Sequence, residues 1–188
     1  MFWPQSKIKE LGIAALLVAF GVVLRLLPHP ANFAPISAIA LFGGVYLSKK
    51  TALILPLLAM LIGDFFLGFY ELRLGLAVYG SFLLIAGLGL LIKRRKSVFA
   101  VAGGALTGSI LFFALTNFAV WAFTPWYAKT ISGLMSCYLI ATPFFKNTLM
   151  SDLFYVTIFF GAYELCVWFV KANKLKVSPV RGLCKNFP

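Results

Sequence analysis

Apolar residues in this chain form long blocks that are separated by short polar or proline-containing stretches. The blocks predict six helices, at about 8–27, 36–47, 51–70, 74–92, 97–123 and 148–170. A helix that crosses a bilayer needs about 20 apolar residues, and most of the blocks come close to that length. The second block is too short, so we expect it to be buried among its neighbours or flanked by a re-entrant segment. The pattern predicts an all-α, polytopic membrane protein with one domain, 1–188.

The connections between the blocks differ in character. Three prolines lie within 28–35, and they end the first helix because proline cannot continue the helical hydrogen-bond ladder. The first block is longer than the apolar core of a signal peptide, about 7–15 residues, so we expect it to be retained as a helix. The stretch 124–147 is nearly as apolar as a helix, and we expect an outer loop that dips into the membrane or covers a cavity as a lid. A basic tail, 171–188, ends the chain.

Charged residues add a direction to this picture. The basic pair 49–50, the basic run 93–96 and the basic tail follow alternate apolar blocks. Lysine and arginine accumulate in the cytoplasmic loops of membrane proteins. The distribution predicts six spans with both termini in the cytoplasm, and it leaves four basic residues on the outer side: Arg25, Arg73, Lys129 and Lys146.

Composition excludes several classes of function. The chain is 62% hydrophobic and 12% charged, far more apolar than a soluble domain. Its net charge of +12 lies beside apolar blocks, which indicates contact with the lipid bilayer and no nucleic-acid partner. No nucleophile elbow, metalloprotease helix or phosphate-binding loop is present, so we expect no enzyme. With one histidine, His29, a multi-histidine metal site is excluded, and we expect no cofactor.

Polar residues in apolar helices are costly and usually face a cavity or a partner. Here they concentrate toward the outer side, which favours a ligand pocket in the outer half of the bundle. The polar contacts we expect are Asp64, Asn117 and Asp152, surrounded by Asn32, Trp121, Asn147 and Tyr155. The alternative is a purely structural network, in which Arg25 pairs with Asp64 or Asp152 to neutralise buried charge.

Several local motifs point to a family. They are LPHPANFAPI at 27–36, ALFGG at 40–44, the Gly63-Asp64 pair, TNFAVW at 116–121 and PFFKNTL at 143–149. Together they resemble a group of six-helix bacterial membrane proteins that is itself similar to the S components of energy-coupling-factor (ECF) vitamin transporters. The resemblance covers about 25–164.

The resemblance implies a substrate-binding subunit in the bacterial cytoplasmic (inner) membrane. S components capture a vitamin or related micronutrient at the outer face, and solitary relatives make cobalamin an expected ligand. His29 and Phe33 would belong to the gating loop. An A-x-x-x-A pair on the first helix docks onto a membrane T component that is coupled to two ATPases, and Ala15 and Ala19 match that pattern. The alternatives are a structural or assembly protein without a transported ligand and, less favoured, an intramembrane enzyme.

Overall fold

The computed structural model describes residues 7–177, with side chains to 172, and this part of the chain contains six α-helices, one 3₁₀ turn and no strand. The all-α prediction is therefore confirmed. The first five helices agree with the predicted ones to within three residues. The helices are α1 (Lys7–Leu26), α2 (Ile36–Tyr46), α3 (Lys49–Leu67), α4 (Leu72–Ile92), α5 (Val98–Phe123) and α6 (Ile131–Val177).

The short helix α2 is the centre of the bundle, with all eleven of its residues buried. It packs against each of the other five helices. Of the two possibilities that the sequence left open, burial among neighbours is the one observed. Helices α2 and α4 approach each other most closely at two glycines. A Cβ atom on Gly44 of α2 would lie only 2.7 Å from the Cα atom of Gly89 on α4, so a larger residue would not fit there. The two backbones are therefore in direct contact, and the central helix is fixed against α4.

Four helical segments are long and apolar enough to cross a membrane: Lys49–Leu67, Leu72–Arg95, Val98–Phe123 and Ile131–Ala172. Helix α1 has 20 residues but carries Glu10 in its first turn and Arg25 in its last. Many large apolar side chains are exposed on these helices, among them Leu76, Phe99 and Leu139. These features fit a multi-pass membrane protein.

The predicted outer loop 124–147 is wrong for most of its length. Residues from Ile131 onward are helical and continue without interruption into the predicted sixth helix, so α6 has 47 residues. Thr130 begins the helix, since its Oγ1 accepts a hydrogen bond from Gly133 N at 3.2 Å, as an N-cap does. Pro143 lies inside the helix and does not end it. The predicted tail is helical from 171 to 177, and its remainder lies outside the described residues.

The two basic segments between helices meet at one end of the bundle, which we call the basic end. There, Ser48 N donates to Glu10 Oε1 at 2.8 Å, and Lys93 Nζ donates to Leu47 O at 2.7 Å. Lys96 forms an ion pair with Glu164. The connections 27–35, 68–71 and 124–130 lie at the opposite end, which we call the loop end. The two basic segments, which are far apart in the sequence, therefore lie together at one end of the bundle.

Candidate functional site

A buried ion pair joins α1 to α3 near the loop end. Arg25 donates to Asp64 Oδ1, and it also donates to Met60 O at 3.0 Å and to the Tyr70 hydroxyl at 3.2 Å. Asp64 is fully buried, and its Oδ2 accepts a hydrogen bond from the Tyr79 hydroxyl at 2.6 Å. The charge of Asp64 is thus neutralised within the protein. Of the two pairings that the structural interpretation allowed for Arg25, the structure contains the one with Asp64.

The second buried carboxyl group, Asp152 on α6, has no such partner. Its Oδ2 accepts a hydrogen bond from the Ser109 hydroxyl of α5 at 2.6 Å, and Ser37 of α2 lines the same cavity. Asp152 is only 2% exposed. Among the side chains that the structure describes, no lysine, arginine or histidine nitrogen lies within 4.0 Å of its carboxylate. Asp152 therefore accepts a hydrogen bond from one hydroxyl group and forms no ion pair with any described side chain.

The loop 27–35 is held closely against α6. Asn147 Nδ2 donates to Ala31 O at 3.0 Å, and Ser151 Oγ donates to Ala34 O at 3.2 Å. The Phe33 ring lies 5.9 Å from the Tyr155 ring, between centroids. Asn32 has a φ of 61°, in the left-handed region that asparagine tolerates better than most residues. Two hydrogen bonds and an aromatic contact therefore fix the position of this loop.

A cavity of about 220 Å³ lies under this loop, between it and the polar residues of the helices. Its polar walls come from Arg25 and Asp152 together with Ser37 and Thr148. His29 and Asn32 line the cavity from the loop side. The remaining walls are aromatic or apolar, and they include Tyr70, Phe82 and Phe112. One cavity thus brings together residues from all six helices and from the loop.

The structure places the predicted site residues in four groups, of which the fourth, Asn117 and Trp121, lies away from the cavity. Asp152, Asn32 and His29 line the cavity. Asp64 does not line the cavity, but its ion pair with Arg25 positions that side chain, which does line the cavity. The other three residues near the loop do not line the cavity but hold the loop or its neighbourhood in place: Phe33, Asn147 and Tyr155.

Asn117 and Trp121 were expected beside the same pocket, and the structure places them elsewhere. Asn117 Nδ2 donates to Phe113 O at 2.8 Å within its own helix, and Trp121 Nε1 donates to Ala128 O at 3.0 Å. Phe112 is the residue of α5 that lines the cavity, and Asn117 is five positions further along, about 140° around the helix at 100° per residue. The Asn117 side chain therefore points away from the side of α5 that lines the cavity.

The sequence interpretation missed the two serines that contact Asp152, Ser37 and Ser109. Ser109 lies on the α5 face that includes Gly108 and Ala105, and this run of small residues was the available signal for a buried face. Ser37 lies in the first turn of α2 and had no distinguishing neighbours in sequence. Within the described residues, no group of three histidine, cysteine or acidic side chains could hold a metal ion.

A separate apolar groove of about 680 Å³ lies between α1 and α3. Ala15 and Ala19 line it, and both are exposed. The groove is lined otherwise by larger apolar side chains such as Val18, Ile54 and Leu58. Because alanine side chains are small, a helix that packs into the groove can come close to the α1 backbone at this point.

The described part of the chain is an all-helical bundle with helices compatible with a multi-pass membrane protein, and it contains a cavity with polar and apolar walls near one end. The chain belongs to DUF6580, a family of unknown function, whose sequence model matches residues 5–175. No curated protein and no solved structure matches the chain significantly.

Proposed function

We propose that this protein is a substrate-binding membrane subunit of the S-component type, which captures a vitamin-like small molecule for uptake. The observation that carries the proposal is the cavity under the loop 27–35, which Arg25 and Asp152 both line. A mostly apolar pocket with a few fixed polar groups is the usual form of a small-molecule site. A purely structural network accounts for Asp64, which is neutralised by Arg25, but it does not account for the cavity.

The proposal places the six helices across the bacterial inner membrane, with both termini in the cytoplasm. The basic end of the bundle would then face the cytoplasm, in keeping with the preference of lysine and arginine for that side. The loop end and the cavity would face outward. A ligand would enter past the loop that carries His29 and Phe33, and it would be released inward.

The size of the cavity limits the ligand. At about 220 Å³ it is smaller than the pockets that bind drug-sized molecules, about 300–1,000 Å³. Cobalamin, a macrocycle with a nucleotide arm, is much larger than a drug-sized molecule. We therefore do not extend the proposal to cobalamin, and we favour a compact micronutrient.

The groove that contains Ala15 and Ala19 fits a docking role. In this proposal a helix of an ECF T component, which is coupled to two ATPases, packs into the groove. Within the chain, the groove lies on α1 and α3, and its residues do not line the cavity. Binding and energy coupling would therefore use different surfaces.

Mass spectrometry of the purified full chain tests capture. The wild-type protein should carry a bound small molecule, and Val78→Trp, which fills the cavity from α4, should lose it. Leu84→Trp is the matched control, because Leu84 lies on the same helix and is exposed, so this variant should keep the molecule. If no small molecule accompanies the wild-type protein, and expression rescues none of a panel of vitamin auxotrophs at limiting vitamin, the capture function is wrong.

An uptake experiment tests docking separately. The double variant Ala15→Trp, Ala19→Trp should retain the bound molecule but lose rescue of the auxotroph, since the tryptophans block the groove and leave the cavity intact. Unchanged rescue would show that the groove has no part in uptake. Loss of the bound molecule itself would show that the groove and the cavity are not independent.

A further inference from the structure

Asp152 stands out among the buried ionisable groups because no lysine, arginine or histidine nitrogen of the described side chains lies within 4.0 Å of it. Taking a carboxylate out of water is costly unless a positive charge or a full set of hydrogen bonds compensates. An ionised carboxylate has about four acceptor sites. Ser109 supplies one donor, so acceptor capacity remains unused. The carboxyl group also lines the cavity, so a ligand there can reach it.

The other charged group of the cavity, Arg25, is already engaged. Its positive charge is offset by Asp64, and both of its Nη atoms donate hydrogen bonds, to Met60 O, to Asp64 and to the Tyr70 hydroxyl. A ligand anion would have to compete with the Asp64 carboxylate for this guanidinium. Asp152 is therefore the acidic side chain of the cavity that forms no ion pair with any described side chain.

The aromatic walls favour the same class of ligand. Phe82 and Phe112 lie 5.3 Å apart between ring centroids, and both line the cavity together with Tyr70. The face of an aromatic ring attracts a cation, most strongly where water is excluded. A carboxylate next to aromatic rings is a suitable environment for an organic cation and a poor one for an anion.

From these observations we propose that the cavity binds a compact organic cation, with an amidinium, ammonium or protonated heterocyclic nitrogen on Asp152 and its apolar part against Phe82 and Phe112. This inference rests on the proposed capture function and names the substrate class of that site. Asp152 is the specificity-determining residue in it. Ser109 positions its carboxylate.

Three probes of nearly the same shape test the charge preference: benzamidine, which is a cation at neutral pH, neutral benzamide and anionic benzoate. Each is titrated against the full chain in nanodiscs of phosphatidylcholine, whose zwitterionic head groups do not concentrate cations. We expect benzamidine to bind the wild-type protein at least about tenfold more tightly than benzamide, since a charge-assisted hydrogen bond replaces a neutral one. Benzoate should bind most weakly.

Two variants assign the preference to Asp152. Asp152→Asn keeps the shape and should remove the advantage of benzamidine over benzamide, a loss of about tenfold to a hundredfold in its affinity. Glu164→Gln is the matched control, because it makes the same chemical change on the same helix at the basic end, beside Lys96. It should leave all three affinities unchanged. If Asp152→Asn does not fold, the comparison of the three probes on the wild-type protein still tests the charge preference of the cavity.

The outcomes separate this inference from the proposed function. If benzoate or benzamide binds as tightly as benzamidine, or if Asp152→Asn keeps the preference, the organic-cation class is wrong. The capture function then survives when mass spectrometry finds a bound molecule that is neutral or anionic. If none of the three probes binds, the inference is overturned as well, and the capture function fails with it only when the purified protein also carries no small molecule.

Discussion

The buried pair between Arg25 and Asp64 allows a quantitative prediction. Arg25→Met retains an unbranched side chain in the same space and removes only the guanidinium. Asp64 is fully buried, and after the change its single remaining partner is the Tyr79 hydroxyl, which donates at 2.6 Å. The hydrogen bond from Arg25 to Met60 O is lost as well. One negative charge is then left in the interior with one neutral donor.

Removal of one partner from a buried ion pair typically costs about 3–5 kcal/mol, because the other charge remains buried without compensation. We expect Arg25→Met to lower the free energy of unfolding by that amount. Arg73→Met is the matched control. Arg73 is exposed, and its guanidinium lies 5.4 Å from the Phe123 ring centroid, a contact worth about 0.5–1 kcal/mol.

A double variant distinguishes uncompensated charge from lost packing. Replacing both partners of a buried pair by apolar residues is often nearly neutral. Arg25→Met combined with Asp64→Leu should therefore be more stable than Arg25→Met alone, although it carries one more substitution. Lost packing would make the two changes additive.

Unfolding of the purified protein in mixed micelles by increasing fractions of denaturing detergent, followed by circular dichroism, gives these free energies. The reasoning is refuted if Arg25→Met lies within about 1 kcal/mol of the wild-type protein, since a buried pair should exceed the contribution of an exposed one. It is also refuted if the double variant is less stable than both single variants.

Three further predictions concern the bundle itself. Gly44→Ala places a methyl group against the α4 backbone and should destabilise the protein by about 1–3 kcal/mol in the same titration. Gly103→Ala is the control, because its methyl group enters open space, and it should be neutral or stabilising; equal effects of the two variants would contradict the close approach of α2 and α4. Lys129→Met removes the amine that donates hydrogen bonds to two carbonyl oxygens at the end of α5, so hydrogen exchange of the Thr124 amide should accelerate about tenfold. An unchanged exchange rate would show that the amine does not stabilise this end of α5. Glu164→Gln breaks an ion pair that is partly exposed on both sides and should cost less than about 1 kcal/mol; a larger loss would mean that the basic end is a principal source of stability.

The helices were predictable because each is a long apolar block with an evident boundary. Ser48 and Ser97 accept hydrogen bonds from the first turns of α3 and α5, as N-cap residues do. The beginning of α6 was missed because Pro143 lies in the middle of an apolar stretch and proline usually ends a helix. The signal that identifies the true start is Thr130, whose hydroxyl caps the helix.

The candidate site was predictable only in part. A charged residue in an apolar helix stands out in any sequence, so Arg25, Asp64 and Asp152 could be identified without a structure. The assignment of partners could not be made, because it depends on which helix faces lie together. Asn117 shows the difference: it is polar and near the same end of the bundle, but its side chain faces away from the cavity.

The sequence by itself determined the all-α fold class, the number of helices and the end of the bundle at which the buried polar residues gather. Those properties follow from local composition and from the cost of burying charge in an apolar environment. The tertiary structure alone decided that Arg25 pairs with Asp64 and that Asp152 is hydrogen-bonded to Ser109 beside a cavity. Such pairing depends on the relative rotation of helices that are far apart in the chain, and neither local composition nor periodicity fixes that rotation.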